Sequence, residues 1–363
     1  MRNFFLHATN VHQGGGKALL EALLETSFTQ EKRVLLLDAR MRISTEILGN
    51  SRLIRVSPSV FHRLRAEWWL ARHVHAADTV ICFGNLPPLF KVAGHVIVFV
   101  QNKYLLQDVC LEGFPWKTRL RLSIERLWFK WKAINANQFI VQTPAMKAVL
   151  ESRLSGHIAS NKGTILPTEH RVSIQILPFV SAVEGYQRKL ATMRRKGKQD
   201  FDFFYVASGE PHKNHRCLIE AWCLLAKEGL FPSLKLTLDR PHFAELCSWI
   251  EQKVEQGRLK VDNAGSLSHG QVKRLYGRAG ALIYPSTFES FGLPLIEARQ
   301  AGLPVLASEL DYVRDVLDPE QTFDPESAVS IARAVKRFMR IEEQPLPLQD
   351  ATGFMKHILE RTE

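Results

Sequence analysis

Two glutamates separated by seven residues, Glu289 and Glu297, bracket a run suited to holding an anion. The run between them is Ser290-Phe291-Gly292-Leu293-Pro294-Leu295-Ile296. Pro294 fits a first helical turn, where its fixed φ is already helical and its missing N–H has no acceptor to lose. The backbone N–H groups of Phe291, Gly292 and Leu293 then stand at a helix start without intrahelical partners, which suits a diphosphate. A carboxylate beside a diphosphate is repelled, so the two glutamates are better matched to hydroxyls. A sugar nucleotide carries hydroxyls on both sides of its diphosphate. Taken alone, the spacing also fits an ordinary βαβ turn with solvated glutamates.

The elements that would position these groups are legible around them. Ala281-Leu282-Ile283-Tyr284 is a short apolar run of the kind found in buried strands, and Pro285 ends it. Gly302 and Pro304 close the following helix, and Val305-Leu306-Ala307 begins another strand. The unit is strand, glycine-containing loop, helix, strand.

The full string from Pro285 to Val305 resembles the donor-binding motif of the family-4 retaining glycosyltransferases, "PS-x-x-E-G-F-G-L-P-x-x-E-A-x-x-x-G-x-P-V". Pro285, Ser286, Glu289, Phe291, Gly292, Leu293, Pro294, Glu297, Ala298, Gly302, Pro304 and Val305 match, and Ser290 replaces the common glycine. The resemblance is dense over 266–334 and weaker, but in order, elsewhere. It implies an α/β protein of GT-B fold, two facing Rossmann-like domains with parallel sheets and a cleft between them. The expected division is 1–180 for the acceptor-side domain, 181–345 for the donor domain and 346–363 for a helix crossing back.

Further site residues follow from that resemblance. Ser208-Gly209-Glu210-Pro211-His212-Lys213-Asn214 resembles the family's "G-x-x-x-P-x-K-N" element. This implies that Lys213 binds the donor diphosphate and stabilises the leaving charge, with Ser208, Gly209 and His212 beside it. Relatives often carry an arginine near the preceding strand; here the second cation is absent or is supplied by His212. The turn Asn263-Ala264-Gly265-Ser266-Leu267-Ser268 resembles the family's base-contacting turn and brings in Leu267. Gly15 and Gly16, in Gln13-Gly14-Gly15-Gly16-Lys17, match neither a Walker loop nor a dinucleotide fingerprint. In the family such glycines face the donor phosphate or the acceptor. Gln101 and Asn102 stand where relatives often have histidine, and are acceptor-side candidates for hydrogen bonds to sugar hydroxyls. Catalytic roles are expected of Lys213 and Glu289.

Composition sets the remaining bounds. The chain has 363 residues, 45% hydrophobic and 23% charged, as in ordinary globular proteins with two substantial cores. Five scattered cysteines include no C-x-x-C pair, so neither a disulfide framework nor a zinc site is indicated. Asp200-Phe201-Asp202 spells a metal motif of another glycosyltransferase fold but stands at a strand entrance; no metal and no cofactor are expected, the nucleotide sugar being substrate. The opening residues are too short for a signal peptide and read as a strand, Asn3–Ala8. A net charge of +11 calls for an anionic partner. No nucleic-acid-binding signature appears, so nucleic acid is not the expected one.

Alternating apolar runs and helical patterns, including Val34–Asp38, Thr79–Phe83 and Val96–Val100, predict a parallel sheet with helices on both faces. Function in such sheets gathers at the carboxyl ends of the strands. Phe114–Lys132 holds six basic residues and one acid, interleaved with Trp116, Trp128 and Trp131, and Leu120, Ile124, Leu127 and Trp131 follow helical spacing. Such a helix either covers the sheet or lies on an anionic membrane; Phe61–Arg72 has the same flavour. The expected activity is transfer of a sugar from a nucleotide diphosphate-sugar to a glycan or lipid-linked glycan acceptor, in bacterial surface polysaccharide synthesis. The expected place is the cytoplasm, peripheral to its membrane. The alternatives are a non-enzymatic glycan- or membrane-binding relative and another GT-B enzyme, such as a sugar-nucleotide epimerase.

Overall fold

The computed structural model describes residues 3–25, 32–43, 48, 51–107, 111, 114–160, 172–179 and 199–341. Residues 181–198 of the expected donor domain and the crossing helix expected over 346–363 lie outside these residues. Two sheets organise the rest. The first contains β1 (Asn3–Ala8), β2 (Lys32–Asp38), β3 (Arg52–Val56), β4 (Thr79–Cys82), β5 (His95–Phe99), β6 (Gln138–Val141) and β7 (Ser173–Ile176). Their order in space is β3-β2-β1-β4-β5-β6-β7, with every pairing parallel.

The second sheet contains β8 (Phe201–Tyr205), β9 (Leu234–Leu236), β10 (Val261–Asn263), β11 (Ala279–Tyr284), β12 (Val305–Ser308) and β13 (Gln321–Phe323). Its order is β10-β9-β8-β11-β12-β13, again all parallel. This is the GT-B arrangement of two Rossmann-like units. In each sheet the strand order reverses once, between β1 and β4 and between β8 and β11. Loops leaving such neighbouring strands diverge and open a crevice.

The cores follow from the apolar runs. In β11 every residue from Ala279 to Tyr284 is buried, as expected for a strand covered on both faces. Phe203, Phe204, Tyr205, Trp222 and Leu282 are all within 1% of complete burial in the same core. Burial of each large apolar side chain contributes about 1.5–3 kcal/mol before chain entropy is counted.

The helices in chain order are α1 (Gly14–Glu25), α2 (Val60–His73), α3 (Trp116–Lys132), α4 (Pro144–Ser160), α5 (His215–Lys227), α6 (Ala244–Gly257), α7 (His269–Tyr276), α8 (Leu293–Gln300), α9 (Asp311–Arg314) and α10 (Ala328–Phe338). Arg258, at φ 49°, ends α6, and β10 starts at Val261. Helix α3 buries Leu122 and Phe129, while Leu120, Ile124, Leu127 and Trp131 remain 46–66% exposed. The apolar row read from the sequence therefore faces away from the sheet. Among the described residues no helix is long and apolar enough to cross a membrane.

Among the described residues the two units touch through the following groups, among others. The backbone N–H of Ala145 donates to Asp315 Oδ2 at 2.9 Å. The Tyr104 and Phe288 rings lie 4.5 Å apart. Leu293 packs against a first-unit core that includes Phe83 and Phe99.

Candidate active site

Lys213 and Glu289 come from loops leaving β8 and β11, on either side of the second sheet's reversal. The chain after β8 reaches a 3-10 turn, Pro211–Lys213, then Asn214 in the left-handed region at φ 59°. Asparagine tolerates this backbone better than most residues. Its side-chain amide donates to Pro285 O at 3.1 Å and to Pro325 O at 2.6 Å. The carbonyl of His212 accepts from Thr287 N at 2.8 Å, Ser286 Oγ at 3.0 Å and Thr287 Oγ1 at 3.2 Å. The Tyr205 hydroxyl donates to the carbonyl of Lys213. Ser286 O in turn accepts from Ser308 Oγ and from Tyr312 OH, each at 2.9 Å. These bonds lash the two loops together.

The result is a close pair: Lys213 Nζ lies 2.5 Å from Glu289 Oε1, with the two side chains 15% and 12% exposed. Tyr284 OH donates to the same oxygen at 2.9 Å. Burial pushes the Glu289 carboxyl up, but the Lys213 charge and hydrogen bonds from Lys213 and Ser286 hold it below the ordinary glutamate value. Burial, with the Glu289 charge added, keeps the Tyr284 and Tyr205 hydroxyls protonated, so both act as donors. Burial and the adjacent Lys213 lower His212 to about 4. His212 is thus neutral at pH 7 beside Lys213.

Helix α8 starts after Gly292, whose φ of 69° suits glycine, and Pro294 sits in its first turn. It ends at Gly302, φ 69°, with Leu303 N donating to Ala298 O at 2.8 Å. Phe291 is buried, so only its backbone can meet a ligand. Ser290 is half-buried beside it. Glu297 accepts from Tyr276 OH at 3.1 Å and lies 3.5 Å from His269 Nδ1. Burial raises its pKa, with the Tyr276 hydroxyl and Lys273 opposing. Tyr276 and His269 belong to α7, which begins at a Ser268–Gln271 capping box just after Leu267. Glu297 and the turn holding Leu267 are thereby brought together.

Other residues expected at the site have clear local duties. The Ser208 hydroxyl donates to Glu210. A Cβ on Gly209 would stand 2.4 Å from the Phe243 ring, so packing alone requires glycine there. Asp200 pairs with Arg278, and Asp202 accepts from Ser233 N and Oγ, at the opposite ends of the strands from Lys213.

On the first unit, Gly14 has φ 65° and opens α1. A Cβ on Gly15 would lie 3.0 Å from Leu293 Cδ1, and one on Gly16 would lie 3.6 Å from Gln101 Oε1. The glycine cluster, Gln101 and the start of α8 therefore meet. Gln101 Nε2 donates to Phe83 O at 3.3 Å. Asn102 Oδ1 accepts from Tyr104 N at 3.0 Å, capping a 3-10 turn, so this oxygen is committed to backbone. Sequence reasoning missed Asn85, at φ 71°, whose Oδ1 accepts from Gln101 N and Asn102 N at 2.5 and 2.9 Å. It also missed Lys103 and Tyr104, which reach the Phe288 ring. Their one signal was position, immediately after Gln101-Asn102 at a strand end.

Chemically, this arrangement offers Lys213, a helix start for an anion, and two largely buried carboxylates for hydroxyls. Residues 188–352, somewhat under half of the chain, match the family described as Glycosyl transferases group 1. The O-antigen chain mannosyltransferase B of Escherichia coli is 30% identical over 131 residues, 35% of this chain and 34% of its own length. The O-antigen chain mannosyltransferase RfbU of Salmonella typhimurium is 28% identical over 169 residues, 46% of this chain and 45% of its own. The chain thus spans less than half the length of these curated relatives. Anabaena HepE, solved in complex with UDP, superposes with a TM-score of 0.62 at 15% identity, covering 94% of this chain and 90% of that one. The lipopolysaccharide outer core galactosyltransferase WaaB superposes at 0.59 and 15%, covering 95% and 92%. At these identities the superpositions establish a shared fold.

Proposed function

We propose that this protein is a retaining glycosyltransferase that moves a sugar from a nucleoside diphosphate-sugar to a glycan acceptor in bacterial surface polysaccharide assembly. The observation that carries the reading is the Lys213–Glu289 pair at 2.5 Å, lashed in place beside the start of α8. The donor diphosphate lies against Lys213 and the N–H groups of Gly292 and Leu293, where positive charge meets the leaving group. These groups supply the charge that a metal supplies elsewhere, so the reaction is proposed to run without one. Glu289 accepts hydroxyls of the transferred sugar, and Glu297, near Leu267, accepts those of the ribose. The acceptor oxygen bonds to the anomeric carbon on the face the nucleotide leaves. The bond to phosphate breaks, and the departing phosphate oxygen takes the acceptor proton.

The matched relatives, two of them O-antigen mannosyltransferases, support this class of pathway. The donor domain is taken as 181–345 and the acceptor side as 1–180, with Gly15 facing Leu293 across the cleft and Gly16 beside Gln101. The acceptor is proposed to be lipid-linked and met at an anionic bilayer. Two features support this: the exposed row of α3, with the exposed Phe61 and Trp68 of α2, and the cations that flank it. Apolar insertion and about 1 kcal/mol per surface cation act together in such contacts. The cytoplasmic side of that bilayer is proposed as the place of the work.

Thermal unfolding with a panel of UDP- and GDP-sugars tests the donor site. One of them raises the melting temperature by mass action, and the rise disappears in Lys213→Ala. A chain that no nucleotide sugar stabilises, or a Glu289→Ala enzyme with full transfer activity, refutes the reading.

A further inference from the structure

A bound diphosphate can take a further cation beside Lys213 and the start of α8. Lys213 is already shared with Glu289, and His212 is neutral at pH 7. A further cation at the donor loop comes from the other unit. The backbone around Lys103 is clamped on both sides. Asn85 fixes Gln101 N and Asn102 N, and the Arg126 guanidinium donates to the carbonyls of Tyr104 and Gln107 at 2.8 Å each. From this platform the Lys103 ammonium reaches the ring of Phe288, 4.6 Å from its centroid and one residue from Glu289. A cation over an aromatic face is held there without being neutralised.

The carboxylates that act on Lys103 are Asp311, Glu289 and Asp315. Glu289 is taken by Lys213, and Asp315 accepts the Ala145 N–H. Burial works against the Lys103 charge, and the three acids offset part of that effect. A half-buried ammonium poised in a cleft without an ion-pair partner within 4 Å among the described residues is suited to an anion that arrives with substrate.

We propose that Lys103 is a phosphate-binding cation delivered across the cleft to the donor loop; this rests on the transfer reading above. The phosphate has two possible sources: the diphosphate of the donor, or a phosphate carried by a lipid-linked acceptor. In either case the anion bridges both units, through Lys103 on one side and the Lys213–Gly292 region on the other.

Lys103→Met keeps the apolar stem on Phe288 and removes the charge; Lys103→Arg keeps the charge. Both are checked for wild-type melting. Calorimetry then measures UDP, GDP, uridine and guanosine, and transfer is measured to a glycan acceptor with and without its phosphate. We expect Lys103→Met to lose roughly tenfold or more, as for a charge-assisted hydrogen bond, while Lys103→Arg keeps most of the wild-type value. A loss on the nucleoside diphosphate, with the free nucleoside unchanged, assigns the donor as the source. A loss confined to the phosphate-bearing acceptor assigns the acceptor. Equal weakening of diphosphate and nucleoside means packing alone and overturns the proposal, as does a Lys103→Met protein unchanged throughout. Lys213→Ala runs alongside: if it loses diphosphate binding while Lys103→Met does not change, the donor reading stands and the role of Lys103 falls. If the wild type binds neither UDP nor GDP, the donor reading itself falls and takes this role with it.

Discussion

Removing one member of the Lys213–Glu289 pair separates its structural cost from its chemical role. In Lys213→Met, Glu289 keeps its burial and its Tyr284 donor but loses the cation 2.5 Å away. Stranding one charge of a largely buried pair costs about 3–5 kcal/mol. Glu289→Gln strands the lysine instead, and its loss is of the same order. The double variant, Lys213→Met with Glu289→Gln, leaves no buried charge and falls short of the summed losses by about 3 kcal/mol. The pH dependence gives a second, sign-specific check. In the wild type the Glu289 carboxyl lies below its ordinary value of 4.5, so its contribution is present above that pH and lost as pH falls through the lower folded value. In Lys213→Met burial, the largest influence, pushes the carboxyl up against His212 and the remaining hydrogen bonds. The folded state then binds the extra proton, and this variant gains stability as pH falls from 7 toward 5, by at most about 1.4 kcal/mol per pH unit. Urea unfolding of the four proteins at pH 5, 6 and 7 measures both effects, and a transfer assay accompanies it. The double variant recovers stability without recovering transfer. A Lys213→Met protein as stable as wild type, with the same pH profile, refutes the account of a desolvated pair.

Two further outcomes are expected. Gly292→Ala places a Cβ at φ 69° and 2.9 Å from Leu295 Cδ1, and loses about 1–2 kcal/mol in urea unfolding; an unchanged midpoint refutes the need for glycine there. Replacing Leu127 and Trp131 of α3 by serine leaves melting unchanged, because both side chains are exposed, but weakens sedimentation with phosphatidylglycerol vesicles several-fold; equal sedimentation of variant and wild type refutes membrane docking through this row.

Local signals account for what could be read in advance. The unit around Gly292 was legible because a buried strand, a glycine, a first-turn proline and a closing glycine follow one another within one short stretch. Parallel strands buried on both faces, such as β5 and β11, announce themselves as continuous apolar runs. The edge strand β3 did not, since Arg52 and Arg55 interrupt it. Nor did the end of α6, where a non-glycine residue takes the left-handed cap. Helix α3 has two apolar rows, and periodicity alone does not say which one meets the sheet. Asn85, Lys103 and Tyr104 acquire their surroundings only when distant segments approach, and the one local mark of Lys103 and Tyr104 is their place just after Gln101-Asn102.

Every hydrogen bond that lashes Lys213 to Glu289 has both partners between Tyr205 and Pro325. Among the described residues, the hydrogen bonds that set the pair's geometry thus come from the second unit alone. A lineage could exchange the first half by recombination and inherit a finished half-site in the second, leaving the small seam around Gly15, Lys103, Tyr104 and Ala145 to be refitted. A change in the first sheet would then be felt at the seam before it is felt at the lashed loops.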